Sequence, residues 1–192
     1  SRLMRNQYVP CGRGYTIEVD ALLLTRKGFF VIEIKNIAGK IVGSYRLNEW
    51  TVHLKGKQGR KPARYKIYNP IKQNTRHVEA VARYLHVPPS SCTNLIVFTS
   101  RAELKKIPPN TKDFTITQEN MLRSIMTRRL NGLSERFTDA ELESMAKALE
   151  RTTDVSDACK RVHILHTKQA ERKRLVEREK RRAARKNPSW RP

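Results

Sequence analysis

The stretch Glu18-Val-Asp20-Ala-Leu-Leu-Leu-Thr25-Arg-Lys-Gly28-Phe-Phe-Val-Ile-Glu33-Ile-Lys35-Asn36 decides the fold. Two hydrophobic runs of strand length flank a short basic turn, which predicts a hairpin of strands over 16–25 and 29–35. The second run carries Glu33 and Lys35 where a buried strand should carry no charge. Burying ionised groups is costly unless each is paired or bound to a metal, so the alternation points to a site. If Arg26 and Lys27 form a two-residue loop, Thr25 faces Gly28 and opposed positions sum to a constant. Asp20 then lies opposite Glu33, and Glu18 opposite Lys35, with every charge on one face. A three-residue loop would set Asp20 against Ile34 and split the carboxylates between faces. The hydrophobic pattern favours the first register.

Working outward, residues 5–10 read as a short strand that ends at a Pro-Cys-Gly turn. Residues 39–43 and 50–54 read as a further hairpin extending the same sheet. The Gly/Lys/Arg-rich segment between Leu54 and Lys66 reads as a loop. Its Lys55, Lys57, Arg60, Lys61, Arg64 and Lys66 are either phosphate contacts or a solvated face. Asn69-Pro70 opens a helix to about His86, since Pro suits the first helical turn. Its expected buried stripe is Ile71, Thr75, Val78, Val81, Ala82 and Leu85.

Pro88-Pro89 ends that helix, and 94–100 is a buried strand of parallel type. A basic loop with Lys105 and Lys106 leads to a short strand over 114–117. Helices follow over 118–130 and from Thr138 to about Arg151, where Thr138 and Glu141 have capping-box spacing. Hairpins followed by a crossover helix and another strand predict an α/β fold with a mixed β-sheet core flanked by helices. The expected organisation is a core over 1–133, a helix over 134–155 completing or packing on it, and a basic helical extension or linker over 156–192. That tail has good helix formers and i, i+4 pairs such as Glu177 with Arg181, but too few apolar positions to pack.

The chain of 192 residues has 40 Lys and Arg against 18 Asp and Glu, a net charge of +22. Such an excess calls for a polyanionic partner, with nucleic acid ahead of an anionic membrane. No apolar segment approaches the ~18 residues of a membrane span. Cys11, Cys92 and Cys159 are dispersed, without a Cys-x-x-Cys pair, so neither a disulfide framework nor a zinc knuckle is expected. Thiols in a reducing cytosol are the default reading, and the expected location is cytoplasmic, in a prokaryotic cytosol. His163 and His166 have helical i, i+3 spacing, but a metal site is not expected of them.

Two carboxylates opposed on adjacent strands offer hard oxygen ligands suited to Mg²⁺ or Mn²⁺. Phosphodiester hydrolysis uses such an ion to polarise the phosphoryl oxygen and activate a water. Lys35, on the same face, can orient that water or stabilise developing charge. Taken alone, the three residues are better read as a cross-strand ion pair on a solvated sheet face.

Asp20…Glu33-x-Lys35 fits the PD-(D/E)XK nuclease pattern, and its surroundings resemble the nuclease-related domain (NERD) family. The resemblance is carried by Arg5-Asn-Gln-Tyr-Val-Pro10, Glu18-Val-Asp20, Gly28-Phe-Phe-Val-Ile-Glu33-Ile-Lys35-Asn36, Gly39-Lys-Ile-Val-Gly43, Trp50, Asn69-Pro-Ile-Lys-Gln73-Asn-Thr-Arg-His77 and Ile96-Val-Phe-Thr-Ser-Arg101. It implies a restriction-endonuclease-like fold and activity on DNA, with RNA an open alternative. It assigns Asp20 and Glu33 as ligands of Mg²⁺ or Mn²⁺ and Lys35 as the catalytic lysine. Glu18 corresponds to the acidic or amide position two before the aspartate, and Gln73 to a helix glutamine that lines the site. Asn36, Asn69 and His77 are supporting or structural positions. Trp50 reads as core rather than a base-stacking platform.

The resemblance also implies a helix before the first strand whose acidic residue faces the site. The sequence begins past it, so reduced activity is expected of this chain. The leading expectation is a Mg²⁺-dependent deoxyribonuclease with no membrane partner, either as a homodimer or within a longer protein. A non-cleaving nucleic-acid-binding module, or an interaction domain of a larger DNA-processing or defence protein, is the alternative.

Overall fold

In the computed structural model, which describes residues 1–12, 14–56, 61–153 and 155–186, Arg26 and Lys27 form a two-residue loop with Thr25 opposite Gly28. Thr25 Oγ1 donates to the Gly28 carbonyl at 2.6 Å and accepts from the Lys27 N–H at 3.2 Å. Gly28 has φ +134°, and a Cβ there would come within 2.7 Å of the Ser91 carbonyl oxygen, so only glycine fits. The loop joins β2 (Tyr15–Thr25) to β3 (Gly28–Lys35), and β1 (Arg2–Gly12) lies antiparallel on the other side of β2. The first strand is longer than the expected 5–10 because its pairing with β2 runs on to Arg2 opposite Leu24.

Beyond the hairpins β3 pairs in parallel with β7 (Cys92–Phe98), and β7 with β9 (Thr115–Gln118). The first sheet therefore has the order β1-β2-β3-β7-β9. A parallel pair needs a crossover, and α1 (Pro70–Tyr84) supplies it. Asn69 caps that helix by accepting from the Ile71 N–H at 3.0 Å.

The second hairpin, β4 (Gly39–Val42) and β5 (Glu49–Leu54), does not extend this sheet. With β6 (Ala63–Tyr68) and β8 (Ala102–Leu104) it forms a second sheet of order β6-β5-β4-β8. The reason is that β8, immediately after β7, takes the free edge of β4 in parallel, while β9 takes the edge of the first sheet. The end of the expected 54–66 loop is also strand. In β6, Tyr65 lies opposite Val52 and Ile67 opposite Trp50, but Arg64 and Lys66 alternate with them and give the segment the look of a charge run. Trp50 is fully buried, stacks on Phe98 and donates from Nε1 to the Ser44 carbonyl at 3.0 Å. Its indole lies so close over Gly43 that a Cβ there would meet the ring at 2.2 Å.

Three apolar clusters hold these layers. On one face of the first sheet, Val9, Val19, Leu22, Leu24, Phe29 and Val31 pack against α1 and α3 (Asp139–Thr153). On the other face, Phe30, Ile32 and Val97 meet α2 (Leu122–Asn131), whose helix starts later than the expected Gln118 because Glu119–Met121 is a 3₁₀ turn. The third cluster joins Ile41, Trp50 and Val52 of the second sheet to Ile71, Ile96 and Phe98. The capping box before α3 is formed, with the Thr138 N–H on Glu141 Oε2 at 2.8 Å and the Glu141 N–H on Thr138 Oγ1 at 3.2 Å. In α1 one expected stripe position, Thr75, is exposed, while Asn74, His77 and Ala80 outside the expected stripe are buried.

The basic tail is a thirty-residue helix, α4 (Asp157–Lys186). It lies on the body through polar and aromatic contacts rather than an apolar stripe. His163 meets Thr16 and the edge of Tyr8, Arg174 stacks 3.8 Å from the Tyr68 ring centre, and Arg178 approaches Glu49 at 3.8 Å. Cys11 and Cys92 are free thiols. Among the described residues no helix is long and apolar enough to cross a membrane.

Candidate active site

Glu33 is 3% exposed on β3, and Lys35 follows it on the same face. Helix α1 crosses this face in the opposite sense, so that Gln73 meets Lys35 and His77 meets Glu33. The match is geometric, because two strand residues advance about 6.6 Å and four helical residues about 6 Å. Lys35 Nζ lies 2.5 Å from Glu33 Oε1 and donates to Gln73 Oε1 at 2.9 Å. His77 Nδ1 lies 3.2 Å from Glu33 Oε2, yet neither atom completes an aligned hydrogen bond. Burial works to raise the Glu33 carboxyl. The combined pull of His77 and Lys35 overrides it and holds the group below the usual glutamate value.

Asp20 occupies the end of the β2–β3 ladder, whose last pair is Ala21 opposite Ile32. There its side chain replaces a backbone partner, and Oδ2 accepts from the Ile34 N–H at 2.7 Å. The alternation of β2 breaks at this residue, since Val19 and Leu22 enter the same cluster while Ala21 faces the other way. On the neighbouring strand Asn6 takes φ +51° at the corresponding point. Desolvation, and then the charge of Glu33, push the Asp20 carboxyl above its ordinary value. Asp20 also lines an open, mainly apolar cleft of about 680 Å³ with Leu23, Ile32 and Ile34.

Asp20 and Glu33 are the residues here that could hold a metal. Among the described residues no group of three or more His, Cys, Asp or Glu side chains gathers into a metal-binding cluster. Two carboxylates nevertheless suit Mg²⁺, which keeps several waters and takes one or two carboxylates with substrate phosphates. The buried Glu33 oxygen without an aligned partner and the disfavoured charge on Asp20 are each compatible with a nearby cation.

The other expected residues are distributed differently. Glu18 does not stand opposite Lys35, because the ladder stops before it. It pairs in register with Tyr8, and its carboxylate lies 3.7 Å from His163 Nε2. Asn69 is a structural pin, capping α1 and donating to the Leu47 and Ser44 carbonyls at 2.7 and 3.1 Å. Asn36 Oδ1 accepts from Arg101 and Thr99.

Lys55 and Lys61 are exposed, as are Arg64 and Lys66 on β6, where Lys66 donates to Thr51 Oγ1 at 2.7 Å. Lys57 and Arg60 lie outside the described residues. Lys105 and Lys106 follow β8, at the other edge of the second sheet, and Lys105 lies 3.3 Å from Glu103. Sequence reasoning missed two buried amides behind the site. Asn74 donates to the Val31 carbonyl and to Asn94 Oδ1, each at 2.8 Å, clamping α1 onto β3 and β7 beside Gln73. The signal available was an Asn in each of two facing apolar stretches.

A mixed sheet flanked by helices, with a carboxylate and a lysine at the end of its central strand, defines a restriction-endonuclease-like α/β fold. The chain belongs to the nuclease-related domain family, which matches residues 1–99, from β1 through β7, and so includes Asp20, Glu33, Lys35, Gln73 and His77. It is also similar to an uncharacterized protein of Bacillus anthracis, 26% identical over 140 residues that cover 73% of this chain and 59% of that protein. The chain thus spans less than two thirds of that relative's length. No solved structure matches it.

Proposed function

We propose that the chain is a metal-dependent phosphodiesterase that hydrolyses DNA, with Asp20 and Glu33 holding Mg²⁺ or Mn²⁺ and Lys35 acting on the reacting phosphate. One observation carries this reading: the Lys35 ammonium sits between Glu33 and Gln73, beside an Asp20 whose charge is disfavoured, while Glu33 Oε2 has no aligned partner. A plain cross-strand ion pair would need neither the orphaned oxygen nor the second carboxylate.

A bound divalent ion supplies Lewis acidity towards a phosphoryl oxygen and makes water a better nucleophile at neutral pH. The chain's own residues prepare the rest. Gln73 holds Lys35 from the helix side, so the ammonium stays in position when Glu33 turns its oxygens to another cation. Lys35 has three donors, and one freed from Glu33 can meet the attacking water or the charge developing on phosphate. His77 flanks the far oxygen of Glu33 and limits its rotation. Ile34 fixes Asp20 through its backbone N–H.

Incubation of the chain with plasmid DNA and MgCl₂ or MnCl₂ tests the reading. Nicking or linearisation is expected, and Asp20→Asn and Lys35→Ala should abolish it; cleavage persisting unchanged in both variants would refute it. Intact DNA bound tightly, with steep salt dependence and indifference to EDTA, would identify a binding module instead.

A further inference from the structure

We propose that a second cleft, at the end of the first sheet opposite the carboxylate site, binds the phosphate groups of a nucleotide ligand. The cleft has a volume of about 950 Å³ and is floored by Cys92 and Asn94 at the start of β7, with Thr75 of α1 beside them. Five cations line it: Lys27, Lys112, Arg128, Arg129 and Arg136. Among the described residues Asp113 is the only carboxylate on its walls, and none of the five cations takes part in an ion pair.

Three of the cations are held in place by neutral acceptors. Lys27 donates to the Leu130 carbonyl at 3.0 Å, Arg129 to Thr111 and Thr115, and Arg136 to the Ser90 carbonyl at 3.4 Å. These bonds orient the charges without neutralising them. Lys112 and Arg128 have no hydrogen-bond or ion-pair partner among the described residues, and both are exposed. Burial pushes the Cys92 thiol up to about 12, so the floor adds no negative charge.

A concave wall of one sign concentrates the field and attracts the opposite charge. Arginine forks match phosphate oxygens in particular, through paired N–H donors. High net charge alone would scatter cations over convex surface, whereas here they converge on a hollow of the size that holds small ligands.

The cleft is distinct from the carboxylate site. It lies beside the Phe29 end of β3, and the six residues from there to Lys35 span about 20 Å. A single strand rising 3.4 Å per nucleotide would need about six nucleotides to reach from one to the other. The ligand is thus either a strand of nucleic acid passing both places or a free nucleotide held in the cleft alone.

The test uses the full chain in EDTA, so that the carboxylate site contributes no metal-dependent binding. Binding of a fluorescent single-stranded 12-mer (a length of about twice the bridging estimate) is followed by anisotropy, and binding of ATP by calorimetry. Lys112→Ala/Arg128→Ala is compared with Lys147→Ala/Arg151→Ala, a pair of exposed cations on α3. Thermal unfolding should show both double variants folded like the parent.

The cleft variant is expected to lose about tenfold or more in affinity, and its salt dependence for the 12-mer should fall by roughly 0.7 per lost phosphate contact. The α3 pair should change less than about twofold. Loss for both ligands identifies a nucleotide pocket, and loss for the 12-mer alone identifies a strand-backbone contact. Equal weakening in the two double variants, or no change in the cleft variant, overturns the proposal. Neither result bears on plasmid cleavage, which is read separately.

Discussion

Asp20 and Glu33 lie near the end of one hairpin, close enough for the Glu33 charge to act on Asp20, and their proton affinities shift in opposite directions. The Glu33 pKa is depressed, so its contribution to stability is present above the ordinary value of 4.5 and is lost as pH falls through the lowered one. The Asp20 pKa is raised. Its favourable contribution is present below 3.8 and is lost as pH rises through the raised value, so at neutral pH the ionised group costs stability. Asp20→Asn keeps an acceptor for the Ile34 N–H and removes the charge. It should raise Tm, at roughly 2–4 °C per kcal/mol in a chain of this size, while losing activity. Mg²⁺ should raise the Tm of the parent and leave the variant unmoved. A variant that melts lower, or gains equally from Mg²⁺, would remove Asp20 from the ligand set. Glu33→Gln leaves the Lys35 ammonium without its counter-charge. It should cost on the order of 3 kcal/mol at neutral pH and flatten the acid limb of the Tm profile.

At the scale of elements, α1 and the first hairpin were legible because each carries a local signal that packing does not override. Asn69-Pro70 marks the helix start, and the parity of the Arg26-Lys27 loop sets Thr25 against Gly28. The placing of Lys35 against Gln73 follows from those two elements once they pack. The second sheet was not legible, since β8 has three residues, too few for a period, and β6 alternates its apolar positions with Arg64 and Lys66. Glu18 was misplaced because the parity rule assumes that the ladder continues, whereas it ends at Ala21 and Ile32. Asn74 and Asn94 were missed because a lone amide reads as surface until its partner is known. Gly43 is the sharpest test of the second sheet. Gly43→Ala should cost about 1–3 kcal/mol by forcing Trp50 off Phe98, measurable by urea titration. An unchanged midpoint would mean that the indole has room to move.

Across the whole molecule, one buried contact joins the beginning of the fold to a late element. Gln7 in β1 is fully buried, accepts from Thr152 Oγ1 at 2.8 Å and donates to Thr153 Oγ1 at 2.7 Å, at the far end of α3. Leu142, Ala146 and Leu149 of α3 cover the same face of the first sheet as Val9 and Val19. On the ribosome, therefore, the first strand is made long before the helix that seals it. A nascent chain that has exposed only the family-matched residues 1–99 leaves this face covered by α1 alone. Chains arrested with residue 133 just outside the exit tunnel should be cut by protease within β1, and chains with residue 155 outside should resist. That outcome would make α3 the step at which the emerging protein gains protection from proteolysis.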